Sequence, residues 1–337
     1  MKRGWLLIAL VSVFLVSSCV RESGRIIVGA SIPTQREERW VRDVKMLVEE
    51  STARGIDFRL QISDNDAARQ LAQCENLIAA GVHALILAPH DAFASAVVVE
   101  KAHRARIPVI AYDRMVMNSD VDVYMSFDNV RVGELQGVFI TRAVPRGNYV
   151  VLSGAPTDNN AKLFLDGAMK VIGPLARRGD IKIVMNQSVK DWQPSEAMKL
   201  MENALTANRG RIDAVLAPND GTAGGVIQAL AQQKLAGKVP VTGQDAELAA
   251  AKRVLDGTQS MTIYKDTREL ARTAIRVAEK LAHGVAAGAE ARVPNGRRDV
   301  PSVLLPPTVV DKNNIDAVLV GSGYFKKEEL YGGGPER

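Results

Sequence analysis

Val109-Ile110-Ala111-Tyr112-Asp113-Arg114 decides how this chain is read: a short apolar run, then at once a carboxylate and a guanidinium. A buried parallel strand has that form, because both its faces are covered and its carboxyl end opens where α/β sheets bind ligands. The pattern recurs in both directions. Strands are predicted at 26–32, 58–62, 84–88, 109–112, 124–127, 149–152, 181–185, 214–217, 239–242 and 261–264, with amphipathic stretches between nearly all of them. Leu71, Cys74, Leu77 and Ile78 mark one apolar helix face, and Leu200, Ala204 and Leu205 another. Asp66, Ser195 and Thr222 are expected near helix starts. Polar residues crowd the strand ends: Asp64 after the second strand, Asp113-Arg114 after the fourth, Asn219-Asp220 after the eighth, Gln244-Asp245 after the ninth and Lys265 after the tenth. Some are turn formers or caps. Their spread over two sets of strands predicts an α/β fold of two Rossmann-like lobes with parallel sheets, whose carboxyl edges face a shared cleft.

The chain has 337 residues, 47% hydrophobic and 24% charged, which is enough for two lobes with substantial cores. It begins Met1-Lys2-Arg3, continues with an apolar run over 5–16 and reaches Ser17-Ser18-Cys19, the order of a secretory signal and too short for a retained membrane span. Val16-Ser17-Ser18-Cys19 also resembles the lipobox of bacterial lipoproteins, which implies a signal peptide over 1–18, acylation of Cys19 and a short tether over 19–24. Losing Lys2 and Arg3 lowers the formal charge of +5 by two, and no basic block remains that would follow a phosphate backbone. Cys74 is the other cysteine; at helical spacing among apolar residues it reads as a buried, inert thiol.

The chemistry of an enzyme is thin. The four histidines, at 83, 90, 103 and 283, have no zinc spacing, and there is no nucleophile elbow, Walker loop or dinucleotide fingerprint. Asp64-Asn65-Asp66 lacks the remaining ligands of a calcium loop and reads as a rim or helix cap. No metal and no cofactor is expected. The strand ends instead carry a set suited to a neutral polyol. A sugar hydroxyl both donates and accepts, so Asp113 and Asp245 can accept while Arg114, Lys265, Asn160 and Asn219 donate. Flat C–H patches of a pyranose stack on aromatic rings. Aromatics are only 5% of the chain, and Trp192, in the turn-like Lys190-Asp191-Trp192-Gln193-Pro194, is favoured over Trp40 for that role.

Glu38-Arg39-Trp40, Ala111-Tyr112-Asp113-Arg114, Ser126-Phe127-Asp128-Asn129, Val132-Gly133-Glu134-Leu135-Gln136, Asp158-Asn159-Asn160-Ala161-Lys162, Met201-Glu202-Asn203-Ala204-Leu205-Thr206, Thr222-Ala223-Gly224-Gly225 and Gly243-Gln244-Asp245-Ala246 carry a family likeness. Over about 26–330 the chain resembles the D-xylose-binding members of the ribose and galactose branch of type I periplasmic binding proteins. That resemblance implies a monosaccharide site at Arg39, Trp40, Asp113, Arg114, Asn160, Trp192, Asn219, Asp245 and Lys265. It also implies a three-crossover hinge near Phe127, Lys265 and Asp299, with one lobe at 25–126 plus 266–298 and the other at 127–265 plus 299–330. Residues 331–337, rich in glycine, are expected to be a loose tail. Pro33-Thr34-Gln35 and Pro218 depart from the family pattern, which touches the rim and the fine specificity.

Function follows as an expectation: a monomeric, extracytoplasmic, lipid-anchored protein that closes on D-xylose or a similar aldose and delivers it to the membrane permease of an ABC importer. A sensor that presents the sugar to a membrane chemoreceptor or kinase is the alternative. A sugar-responsive repressor shares the fold but needs a helix-turn-helix ahead of the first lobe, where this chain has a signal segment. A glycosidase would need an acid and a base about a scissile bond, whereas cations beside Asp113 and Asp245 suit binding by keeping both ionised.

Overall fold

The computed structural model describes residues 24–332; the expected signal segment, Cys19 and most of the expected tether lie outside the described residues. The chain begins with β1 (Ile27–Ile32), α1 (Glu38–Ala53), β2 (Asp57–Ile62), α2 (Ala67–Ala79), β3 (Ala84–Leu87), α3 (Ala96–Arg104), β4 (Val109–Tyr112) and β5 (Val123–Phe127). It crosses into a second lobe made of α4 (Asn129–Ala143), β6 (Gly147–Ser153), α5 (Asn159–Arg177), β7 (Ile181–Ser188), α6 (Pro194–Ala207), β8 (Ala214–Leu216), α7 (Asp220–Gln232), α8 (Leu248–Asp256) and β9 (Thr262–Tyr264). It returns through α9 (Thr267–Ala282), β10 (Ala291–Pro294) and β11 (Asp299–Leu305), then ends in β12 (Thr308–Val310) and α10 (Lys327–Tyr331) of the second lobe.

The first sheet has the order β10-β11-β5-β4-β3-β1-β2 and is parallel except for β10. Its central strands are apolar because helices cover both faces. Trp40 and Leu47 of α1 pack with Leu270 and Ile275 of α9 on one side, while Cys74 and Leu77 of α2 join Val98 and Val99 of α3 on the other. Burial pushes the Cys74 thiol up to about 12, so it is inert at neutral pH. In the second lobe, β7-β6-β8 form a parallel sheet that Val241 extends by one bridge to Val215, and β9 pairs antiparallel with β12. Helices α4 and α5 touch backbone to backbone: a Cβ on Gly133 would lie 1.9 Å from the Phe164 carbonyl oxygen. That contact brings the first turns of α5 to the cleft.

Several expectations need correction. The predicted strand over 239–242 is one bridge at Val241 rather than a strand. Ser195 does not cap α6, which starts after Gln193 with Pro194 in its first turn. The cap of α7 is Asn219, with Thr222 closing a reciprocal capping box three residues on. The crossover placed near Asp299 lies after Leu305, because β11 pairs with β10 and, through Ser302–Leu305, in parallel with β5 and so stays in the first sheet. Tyr331 belongs to α10 rather than to a loose tail, and its hydroxyl donates to Asp316.

Candidate functional site

The carboxyl ends of strands from the two lobes meet across a small cavity. Arg39, Trp40, Asp113, Arg114, Asn160, Trp192, Asn219, Asp245 and Lys265 all line it. The first four come from the first lobe and the others from the second lobe and its last crossover. Glu37, Asp158, Phe164 and Gln244 also line the cavity and were not among the expected site residues.

The two aspartates are placed by one device used twice. Asp113 follows β4 with φ of 61° and donates its backbone N–H to Met125 of β5; Asp245 has φ of 97° and donates to Ile263 of β9. Left-handed backbone at a non-glycine residue is costly and persists only where its surroundings hold it. At Asp113 the Ser126 and Tyr124 hydroxyls fix the carbonyl oxygen, at 2.7 and 3.1 Å.

Arg39 is the electrostatic centre. Its guanidinium pairs with Asp43 at 2.9 Å and Asp113 at 2.7 Å and lies 3.9 Å from Asp245. Burial works to raise the Asp113 pKa, but Arg39, Lys265 and Arg114 overcome it and hold the carboxyl below its ordinary value. The nearest cation to Asp113 is therefore Arg39, not the adjacent Arg114 that the sequence indicated. Arg114 turns instead to Asp158 across the cleft, Nε to Oδ2 at 2.8 Å. Lys265 is the partner of Asp245, Nζ to Oδ1 at 2.8 Å, but off the direction of a hydrogen bond. Behind them, burial and the neighbouring Asp245 push Asp220 up to about 7.

Trp40 is 1% exposed and belongs to the first core as well as to the cavity, with the Arg39 guanidinium 4.3 Å above its ring. Trp192 stands on a left-handed backbone, φ 57°, edge-on to Phe164. It lies over Gly154, where a Cβ would come within 2.0 Å of the indole, so glycine is required there. Asn160 caps nothing itself. Its side chain donates to the Asp113 carbonyl at 2.9 Å and accepts from Asn129, so it joins the lobes behind the cavity. Asn219 accepts the α7 cap bond through Oδ1, which leaves its N–H groups for the cavity.

The cleft is closed. Ala92 N–H donates to Thr157 at 2.9 Å, Leu248 N–H to Glu38 at 2.8 Å, and Arg42 lies 4.8 and 4.6 Å from the Tyr324 and Phe325 ring centres. Four side-chain atoms of cavity-lining residues are buried without a hydrogen-bond partner in the protein: Glu37 Oε2, Trp192 Nε1, Gln244 Oε1 and Asp245 Oδ1. Such atoms are rare in folded proteins, and four around one cavity mark a place for a ligand rich in donors and acceptors. Asp64, in contrast, is exposed, pairs with Arg69 at 2.8 Å and leaves the capping of α2 to Asp66. Among the described residues no cluster of His, Cys, Asp or Glu is arranged to hold a metal ion.

The sequence profile of a periplasmic binding protein domain matches residues 28–286. The chain is 44% identical to the D-xylose-binding periplasmic protein of Escherichia coli (strain K12), over 96% of this chain and 98% of that one. It is 37% identical to the multiple sugar-binding periplasmic receptor ChvE of Rhizobium radiobacter, over 95% and 96% of the two chains. Among solved structures, a carbohydrate transporter solute-binding protein of Chloroflexus aurantiacus in complex with D-glucose matches with a TM-score of 0.85 and 34% identity, over 90% of this chain and 98% of that one. With a two-lobed fold, a closed polar cleft and a profile match over most of its length, this chain belongs to the periplasmic binding protein family.

Proposed function

We propose that this chain captures D-xylose, or a closely similar aldose, by closing its lobes outside the cytoplasm, and delivers it as a monomer to the membrane permease of an ABC importer. The observation that carries this reading is the set of buried polar atoms without a hydrogen-bond partner around a cavity already furnished with three aspartates, three cations and two indoles. Donor and acceptor groups both line it, and a neutral sugar offers both from each hydroxyl. The xylose-binding relatives share more identity with this chain than the glucose-bound neighbours, 44% against 34%, which favours the pentose. Arg39, Trp40, Asp113, Arg114, Asn160, Trp192, Asn219, Asp245 and Lys265 are assigned to the ligand, some directly and Asn160 also through the lobe contact.

A thermal-shift panel of pentoses and hexoses tests the assignment. A ligand present at 100 times its dissociation constant stabilises by about 2.7 kcal/mol. D-xylose is expected to give the largest rise in melting temperature; a panel in which no aldose shifts the transition would end the sugar reading.

The same proposal includes membrane anchoring through acylated Cys19, supported by the order Val16-Ser17-Ser18-Cys19. Acyl chains contribute about 0.8 kcal/mol per buried methylene, so two of them hold a protein on a bilayer. Expressed with its own leader, the protein is expected to sediment with membranes, and Cys19→Ser to release it. A wild-type protein recovered wholly in the soluble extracytoplasmic fraction would contradict the anchor while leaving the sugar site untouched.

A further inference from the structure

The turn before α1 carries a pair of residues whose placement the ion pairs of the site leave unexplained. Glu37 is 8% exposed and lines the cavity. Its Oε1 accepts from Arg36 Nε at 3.2 Å and Nη2 at 2.5 Å, which occupies that oxygen. Its Oε2 is buried and meets no donor of the protein. A carboxylate oxygen only accepts, so its donor must come from whatever fills the cavity. Arg36 also donates to the backbone carbonyl of Asp191 in the second lobe. The next residue, Trp192, lines the same cavity with its Nε1 likewise unpartnered, and an indole nitrogen only donates. An unused acceptor of one lobe and an unused donor of the other thus border one space, and a hydroxyl satisfies both kinds of group.

We propose that Glu37 is a specificity-determining ligand residue that accepts, through Oε2, a hydrogen bond from one particular hydroxyl of the bound sugar. The proposal rests on the sugar-binding reading above. Arg36 is a positioning residue: it occupies Oε1, offsets the carboxylate charge and ties the turn to the opposite lobe. Together they make the rim of the cleft sensitive to the presence of that hydroxyl.

Calorimetric titration of D-xylose and its monodeoxy analogues into the full mature protein, with Glu37→Leu and Arg36→Ala alongside, tests this. A hydrogen bond to a charged acceptor corresponds to roughly ten- to a hundredfold in affinity, and Glu37→Leu is expected to weaken D-xylose by that factor. For the one analogue that lacks the partner hydroxyl, wild type and Glu37→Leu should agree within about twofold, as expected of a double-mutant cycle that removes both ends of one contact. Arg36→Ala, acting through lobe contact, should weaken all analogues by a common factor. A Glu37→Leu loss that is equal for every analogue, or no loss, would overturn the proposal and leave Glu37 a purely structural member of the clamp. A wild-type protein that binds no aldose would remove the sugar reading and this role with it. If Glu37→Leu melts early without ligand, Glu37→Gln replaces it, with a smaller loss expected but the same dependence on one hydroxyl.

Discussion

Asp113→Ala and Asp245→Ala are each expected to weaken D-xylose binding by roughly thirtyfold to several thousandfold, about 2 to 5 kcal/mol. Each aspartate is within 5% of full burial, and each faces the cavity from its own lobe. On the proposed assignment, removing either takes away charge-assisted hydrogen bonds to the sugar and leaves a buried cation short of a partner: Arg39 in the first case, Lys265 in the second. The unliganded fold survives both changes. Arg39 keeps Asp43 when Asp113 is lost, and in an open cleft Lys265 is hydrated. The exposed Asp64 is the control, and Asp64→Ala should leave affinity within about a few-fold, since surface ion pairs contribute little. Titration calorimetry on the three variants decides the matter. Binding close to wild type by a folded Asp113 or Asp245 variant would refute the assigned site.

Arg39→Ala should go further and damage the protein before any sugar is added. Arg39, Asp43 and Asp113 all belong to the first lobe, so their network does not depend on closure. Deleting Arg39 leaves the buried Asp43 without its cation and takes from Asp113 its nearest one, a change that typically costs about 3 to 5 kcal/mol. The pH dependence identifies the cause. Burial already pushes Asp43 up to about 6 despite Arg39, and loss of Arg39 raises it further and raises Asp113 as well. A carboxyl whose folded pKa lies above its unfolded value of about 4 loses stability as pH rises between the two. The deficit of Arg39→Ala relative to wild type should therefore be largest above neutrality and shrink towards pH 4. Denaturant melts of the unliganded variant over that range test this, and a deficit independent of pH would mean the damage is loss of packing on Trp40 instead.

Much of this site was legible because strand ends in a parallel sheet are a fixed address. Asp113 and Asn219 could be found from the strands β4 and β8 before them, and Asp245 and Lys265 from apolar runs that prove to be a single bridge at Val241 and the antiparallel β9. What the sequence could not show was the pairing. Proximity in the chain suggested Arg114 as the companion of Asp113, yet α1 delivers Arg39 from 74 residues away, and Arg114 crosses to Asp158. Asp158 was hidden because it performs a local task as well, accepting the Asn160 N–H to cap α5. Glu37 was hidden because nothing in a turn sequence tells which carboxylate oxygen will lack a donor. The strands β10, β11 and β12 escaped notice because all are partly exposed, β10 and β12 are short, and prolines stand in β10 and β11, so only their neighbours make them strands.

The repeated left-handed aspartate has a meaning for how such a protein can change. Asp113 is held by β5 and Asp245 by β9, each through bonds to its own lobe's sheet. The backbone bond that sets each one is made within its own lobe. The cleft is thus assembled from two finished halves rather than moulded around its guest. A substitution that alters which hydroxyls one half accepts leaves the opposite half in working order, so ligand preference can drift through a series of functional intermediates, one lobe at a time.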